Sequence, residues 1–317
     1  MRSAVGHYRK RHRHADAARG RSLGLLFFNP SLRTRTSMEL AAVQLGAHVT
    51  TINVGQGTWG FEWEDGQVMD GDAAEHIREA VGVLSRYYDA LGVRVFASGT
   101  DYEADKSDHL LTQFAEAADV PVINLESAFY HPCQALGDAA TLNVQFEGEV
   151  VGRKFVLAWA YHPKALPMAV PNSAVITASR LGMNVIVARP EGYALDEDVM
   201  GLARRYANST GGSVDETDDL EEAVSGAHVI YAKAWGGPLS YSDPDRERSL
   251  RSSLRGWRIR GSHFAQPHPP VFMHCLPVRR NVVVDDAVLD GPHAIHLLQA
   301  EFRLHAQKAV LELVWGL

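Results

Sequence analysis

A chain of 317 residues is long for one hydrophobic core and points to two domains. A net charge of −7 with 46% apolar residues argues against a nucleic-acid or anionic-membrane binder. Cys133 and Cys275 are the only cysteines, too few for a disulfide framework or a zinc site, which fits a reducing cytoplasm, and no apolar run approaches the roughly 20 residues that span a bilayer.

The start, MRSAVGHYRKRHRHADAARGR, is basic, has Asp16 as its only acid and lacks the apolar core of a secretory signal; residues 1–22 read as a solvated, disordered segment. SLGLLFF is a short buried strand. RTSMELAAVQLG then has helical spacing and stops at Gly46. AHVTTINV is a strand, AAEHIREAVGVLSRY a helix with Ile77, Val81 and Leu84 on one face, and ALGVRVFA a strand. A polar helix around DHLLTQFAEAA leads to the strand VPVINLE and the long helix HPCQALGDAATLNVQFEG. A second series follows: strand KFVLAWAY, helix NSAVITASRLG, strand MNVIVARP, helix EDVMGLARRYA, and strands AHVIYAKAW and PVFMHCLP. The last segment, AEFRLHAQKAVLELVW, is amphipathic. Two alternating series predict an α/β chain of two doubly wound, parallel-sheet domains. The expected boundaries are a first domain over residues 23–145, a second over 146–299, and a C-terminal helix over 300–317 packing back on the first.

Ligands of open α/β sheets gather at the carboxyl ends of strands. Polar residues that follow strands are therefore the candidates. Ser31 to Arg35 follows the first strand, Glu126 and HPCQ (131–134) the fourth, and YHPK (161–164) the first strand of the second half; Lys233 and HCLPVRR (274–280) lie near the ends of later strands. The stretch SLRTRTS puts two arginines and four hydroxyls at a helix start, where unpaired N–H groups and the dipole favour an anion. Arg33 and Arg35 add charge-assisted bonds to a phosphate or carboxylate. The plainer reading is an N-cap with two solvated arginines. GQGTWG (55–60) matches a dinucleotide fingerprint, but FEWEDGQVMDGD follows without helical period, so it reads as a loop and a Rossmann dehydrogenase is disfavoured.

SLRTRTS, HPCQALGD and HCLP, in this order, resemble the Ser-x-Arg-Thr-Arg, His-Pro-x-Gln and Cys-Leu-Pro motifs of the aspartate/ornithine carbamoyltransferase superfamily, from about residue 23 to the C-terminus. The resemblance implies two doubly wound domains with the active site between them, in a homotrimer that shares sites between neighbours. It implies small-molecule substrates, a cytoplasmic enzyme of arginine biosynthesis, and no cofactor, metal, nucleic-acid or membrane partner. Ornithine enzymes of the superfamily also carry a Ser-Met-Gly loop for the free α-amino acid. None is present here, and FFNPSLRTRTS, VMDGD, AVPNS, YAKAW and HCLPVRRN resemble the N-acylornithine branch instead.

By this resemblance, Ser31, Leu32, Arg33 and Thr34 hold the phosphate of carbamoyl phosphate, and Arg303 completes that site. Thr34, Arg94 and His131 donate to the carbonyl oxygen as the catalytic set. Gln134, within the run Pro132–Cys133–Gln134, holds the carbamoyl NH₂ with the backbone carbonyls of Cys275 and Leu276. Trp59 reaches a neighbouring subunit's site. Glu126, His162, Lys233 and Arg279 match the acceptor-binding positions. Taken singly, each has a plainer rival: Arg94 an edge-strand arginine, His131 a capping or core histidine, Trp59 a packing aromatic, Lys233 a solvated strand-end lysine and Glu126 a helix-start carboxylate. For the acceptor, acetylornithine enzymes carry a Glu at the position of Ala74, where succinyl enzymes carry Pro, and a lysine at the position of Val283. Ala74 and Val283 favour N-succinylornithine, with N-acetylornithine as the alternative. A catalytically silent carbamoyl-phosphate-binding homologue is the reading from another class, since fold does not fix function.

Overall fold

The computed structural model describes residues 1–10 and 14–317; Arg11, His12 and Arg13 of the basic start lie outside the described residues. The chain divides into two compact units, the first comprising Met1–Ser98, Glu103–Cys133 and Phe302–Leu317, the second Gly99–Tyr102 and Gln134–Glu301.

In the first series the elements are α1 (Arg2–Arg9), β1 (Ser22–Phe27), α2 (Arg33–Gln44), β2 (His48–Asn53), the two-residue strands β3 (Phe61–Glu62) and β4 (Glu75–His76), α3 (Ile77–Tyr87), β5 (Ala90–Arg94), α4 (Tyr102–Lys106), α5 (His109–Ala117), β6 (Val122–Glu126) and α6 (Pro132–Gln145). The four main strands form one parallel sheet in the order β2-β1-β5-β6. β1 and β5 are its interior strands, buried almost throughout, and an apolar run is what a strand covered on both faces requires. One core packs Leu23, Leu25 and Phe27 against Met38, Ala41, Leu45, Leu311 and Trp315; another packs Leu26, Leu91 and Val93 against Ile77, Val81 and Phe114. Past the end of α2 the chain turns at Gly46, whose φ of +88° and a would-be Cβ only 2.7 Å from Asp16 Cα leave room for glycine alone.

The second series runs β7 (Lys154–Trp159), α7 (Ala169–Arg180), β8 (Asn184–Ala188), α8 (Glu197–Thr210), β9 (Ser213–Thr217), α9 (Leu220–Val224), β10 (Val229–Lys233), α10 (Leu239–Ser242), α11 (Pro244–Ser253), β11 (Val271–Met273), α12 (Asp286–Leu289) and α13 (His296–Trp315). Its sheet is parallel in the order β11-β10-β7-β8-β9, with Val156, Ala158, Ile230, Ala232 and Phe272 in the core.

Both sheets reverse their strand order at an internal pair, β1/β5 in the first and β7/β10 in the second. The doubly wound, parallel reading is therefore the observed fold. Three features depart from the sequence reading. Residues expected to be solvated at the start form α1, because His7 is fully buried and its Nε2 lies 2.9 Å from Glu312 Oε1, while Ser3 and His14 bond the same carboxylate. His7, His14 and Glu312 also place three metal-type donors within 4.8 Å of one another, where the sequence suggested no such cluster. β9 was missed because SVDET is a largely exposed edge strand with no apolar alternation. By compactness the two units divide within α6, after Cys133, and within α13, with Phe302–Leu317 grouped with the first unit.

Candidate active site

The switch point of the first sheet lies between the exits of β1 and β5, the place where open α/β sheets collect ligands. From β1 the chain passes through Asn29, Pro30 and Ser31 into α2. Leu32 is the exposed N-cap residue, Arg33 opens the helix, and Thr34 is buried. The Thr34 N–H donates to Ser31 Oγ over 3.2 Å, satisfying one of the first-turn donors. The Arg303 Nη2 of α13 donates to Thr34 Oγ1 over 2.8 Å. Since that oxygen is accepting, the Thr34 hydroxyl proton points elsewhere and is a donor for another group. Arg303 itself is 2% exposed.

β5 ends on Arg94, which is 8% exposed and no edge-strand arginine, since β5 lies between β1 and β6. Its Nη1 pairs with Glu126 Oε2 at the end of β6, and its Nη2 reaches the Pro30 carbonyl at 3.4 Å. The guanidinium also stands 4.4 Å above the Phe96 ring. Glu126 Oε2 takes a second partner, His131 Nε2, at 3.1 Å. Burial lowers the Arg94 pKa, an effect opposed by the Glu126 carboxylate. Glu126, expected among acceptor-binding residues, is thus found holding two of the expected catalytic side chains. Its β6 exit lies beside the β5 exit, because these consecutive strands pair in parallel.

Pro132 begins α6, where its missing N–H costs nothing. Cys133 is buried, donates weakly to the Asn124 carbonyl at 3.5 Å, and has its thiol pKa pushed up by burial. It is a packing residue rather than a nucleophile. Trp59 is 56% exposed on its glycine-rich loop and donates to Glu75 Oε2 over 2.6 Å. Ala74, just before β4, is exposed.

The second unit gathers a further set at its own switch point. His162 follows β7 and Lys233 ends β10. Arg279 Nε donates to His162 Nε2 over 2.9 Å, and His162 Nδ1 lies 3.0 Å from the Lys164 carbonyl. The Lys164 N–H donates to the same Nδ1 over 3.0 Å. Burial, together with the charges of Arg279, Lys233 and Arg251, lowers the His162 pKa. Lys233 is 8% exposed and donates to the Ala234 carbonyl over 2.8 Å. Leu276 adopts φ +58° before the cis Pro277, and its N–H donates to His274 Nδ1 over 2.8 Å, turning the Cys275–Leu276 backbone. Val283 is buried in the core of this unit with Val284 and Val288, so in this chain it is a packing side chain.

Gln134 is 2% exposed and its Nε2 donates to Asp138 Oδ1 over 2.8 Å. Sequence reasoning named Gln134 but missed Asp138 and its other partner, Gln299. Both stand in motifs already quoted or adjacent to them, and the four-residue spacing of Gln134 and Asp138 on a helix was the available signal.

The carbamoyl-P binding domain of aspartate/ornithine carbamoyltransferases matches residues 3–144, and their Asp/Orn binding domain matches residues 168–314. The chain belongs to the aspartate/ornithine carbamoyltransferase family. It is 43% identical over 309 residues to the N-acetylornithine carbamoyltransferase of Xanthomonas campestris pv. campestris, covering 97% of this chain and 91% of the relative. The N-succinylornithine carbamoyltransferase of Bacteroides fragilis is 37% identical over 303 residues, covering 95% and 90%. Among solved structures, acetylornithine transcarbamylase complexed with acetylcitrulline superimposes with a TM-score of 0.94 at 41% identity, covering 99% of this chain and 93% of that one. A glutamate-to-alanine mutant of N-acetyl-L-ornithine transcarbamylase, complexed with carbamyl phosphate and N-succinyl-L-norvaline, gives 0.94 at 42% identity, covering 99% and 94%. No helix among the described residues is long and apolar enough to cross a membrane.

Proposed function

We propose that this chain transfers the carbamoyl group of carbamoyl phosphate to the δ-amine of an N-acylornithine, giving the N-acylcitrulline and phosphate, with N-acetylornithine the acceptor that overall similarity favours. The observation that carries the reading is the buried set of donor side chains Arg94, His131 and Arg303 beside Thr34 at the β1/β5 switch point. Attack of the neutral δ-amine on the carbonyl carbon forms the N–C bond and puts negative charge on the carbonyl oxygen; as the C–O bond breaks, phosphate departs and takes up the surplus proton of the δ-nitrogen. Such a reaction needs fixed donors at the oxygen and cations on the leaving group.

In this reading the α2 N-terminus with Ser31, Leu32, Arg33 and Thr34 holds the phosphate, helped by Arg303. Thr34, Arg94 and His131 serve the carbonyl oxygen, and Gln134 with the Cys275 and Leu276 carbonyls serves the NH₂. His162, Lys233 and Arg279 take the acceptor. Glu126 holds Arg94 and His131 in place, and its charge opposes the effect of burial on the guanidinium. The protein works as a homotrimer in the cytoplasm.

A second reading, N-succinylornithine as acceptor, is favoured by Ala74, which leaves no carboxylate to repel a succinyl group, and by the apolar Val283. Citrulline-product assays with ornithine, N-acetylornithine and N-succinylornithine test both. A kcat/KM that favours acetylornithine supports the first reading, and one that favours succinylornithine by tenfold or more replaces it with the second. Turnover of free ornithine above either would refute the N-acyl assignment.

A further inference from the structure

Behind Gln134 lies a buried polar chain that no step above uses. Asp138 Oδ1 accepts from two amides, Gln134 Nε2 at 2.8 Å and Gln299 Nε2 at 2.7 Å. Gln299 Oε1 in turn accepts from the His274 backbone N–H at 2.9 Å, and His274 Nδ1 accepts from the Leu276 N–H at 2.8 Å. Gln134, Asp138, Gln299 and His274 are each 4% exposed or less, and the Tyr231 hydroxyl next to Asp138 is wholly buried.

The hydrogen-bond directions in this chain follow from one fixed donor. A backbone N–H can only donate, so Gln299 must turn its oxygen to His274 and its nitrogen to Asp138. Asp138 Oδ1 is the acceptor for both amides. Gln134 must then also present its nitrogen to Asp138, which leaves its carbonyl oxygen at the opposite end of the amide. Without Asp138 the two orientations of the Gln134 carboxamide would be nearly equivalent. The same carboxylate, through Gln299 and His274, seats the turn that carries the Cys275 and Leu276 carbonyls.

We propose that Asp138 is a positioning residue that sets Gln134 and the Cys275–Leu276 turn as hydrogen-bond acceptors, so that the site selects a ligand bearing NH₂ over one of equal shape bearing CH₃. The proposal rests on the carbamoyl-phosphate reading above. Carbamoyl phosphate and acetyl phosphate differ in just this group. A phosphate site alone would bind both alike. An acceptor set favours the first, because a methyl leaves buried oxygens unpaired.

The test is calorimetric affinity for both phosphates in the wild type, Asp138→Leu and Asp138→Asn. The wild type should favour carbamoyl phosphate by about tenfold or more. Asp138→Leu keeps the branched skeleton and removes the acceptor; carbamoyl phosphate affinity should fall about tenfold while acetyl phosphate affinity changes less than threefold. Asp138→Asn keeps an oxygen that both glutamines can donate to and should retain the preference. Equal losses for both phosphates in Asp138→Leu would mean a merely structural residue and would overturn the proposal. If the leucine variant does not fold, Asp138→Asn decides alone, with a retained preference supporting the proposal and an abolished one refuting it. A wild type that binds acetyl phosphate as tightly as carbamoyl phosphate refutes it outright. A wild type that binds neither and forms no citrulline product defeats the carbamoyl-phosphate reading instead.

Discussion

The pair of Arg94 and Glu126 makes stability and catalysis separable. Both residues are 8% exposed, and the carboxylate also holds His131 at 3.1 Å. Removing one member of a buried ion pair leaves the other charge uncompensated, at a cost of about 3–5 kcal/mol. Glu126→Gln strands Arg94 near Arg303, a second cation that already disfavours its charge, with the Phe96 face and a long bond to Pro30 remaining. Arg94→Met leaves Glu126 its histidine, so it should be the milder of the two. The double variant contains neither charge and should fall short of the sum of the singles by about 0.5–3 kcal/mol, the range seen for residues in direct contact. Activity should not follow that recovery. If Arg94 donates to the developing oxyanion, its loss lowers kcat about 10²–10³-fold, and the double variant stays equally inactive. Urea unfolding of all four proteins and their initial rates with saturating carbamoyl phosphate supply the two cycles. Additive stability losses, or Arg94→Met turning over within threefold of wild type, would refute the coupling or the catalytic role respectively.

Arg33→Ala should weaken carbamoyl phosphate binding about 10–150-fold, the loss of one charge-assisted bond of about 1.5–3 kcal/mol; calorimetry showing unchanged affinity would remove Arg33 from the phosphate site. Trp59 is exposed on its loop, as a residue that completes a neighbour's site would be. Mixed trimers of Trp59→Ala and Arg94→Ala subunits should therefore regain part of the wild-type rate, whereas verified mixed trimers that stay inactive would exclude shared sites. Burial and nearby cations lower the His162 pKa in the folded protein. Below the ordinary histidine value of about 6.5, the unfolded chain takes up a proton that the folded chain resists. Stability conferred by neutral His162 is thus full at pH 7.5 and declines below about 6.5, toward the lower folded value. Urea midpoints measured at pH 7.5 and 5.5 should fall less for His162→Gln than for wild type, and equal declines would contradict this.

What the sequence makes legible follows from how each element is stabilised. Interior strands such as LGLLF and VIYAK are buried along their whole length, so their apolar runs identify them. The edge strand SVDET carries almost no burial and gives no such signal, and α1 buries a histidine and an alanine rather than an apolar stripe. The exits of parallel strands all lie on one edge of a sheet, so polar residues after strands are legible as site candidates before any strand order is known. Strand order decides which candidates can touch. Arg94 and Glu126 stand 32 residues apart, and only the pairing of β5 with β6 brings their side chains together; that pairing moves Glu126 from an expected acceptor ligand to a partner of Arg94 and His131. Asp138 is the harder case. Its neighbour Gln134 lies in its own helix, but Gln299, which links Asp138 to the fixed His274 N–H, is 161 residues away. Sequence motifs can nominate the group that faces a ligand. The residues that decide which atom of that group faces it come from other elements, where an aspartate or a glutamine looks like any other until burial shows that it needs a partner.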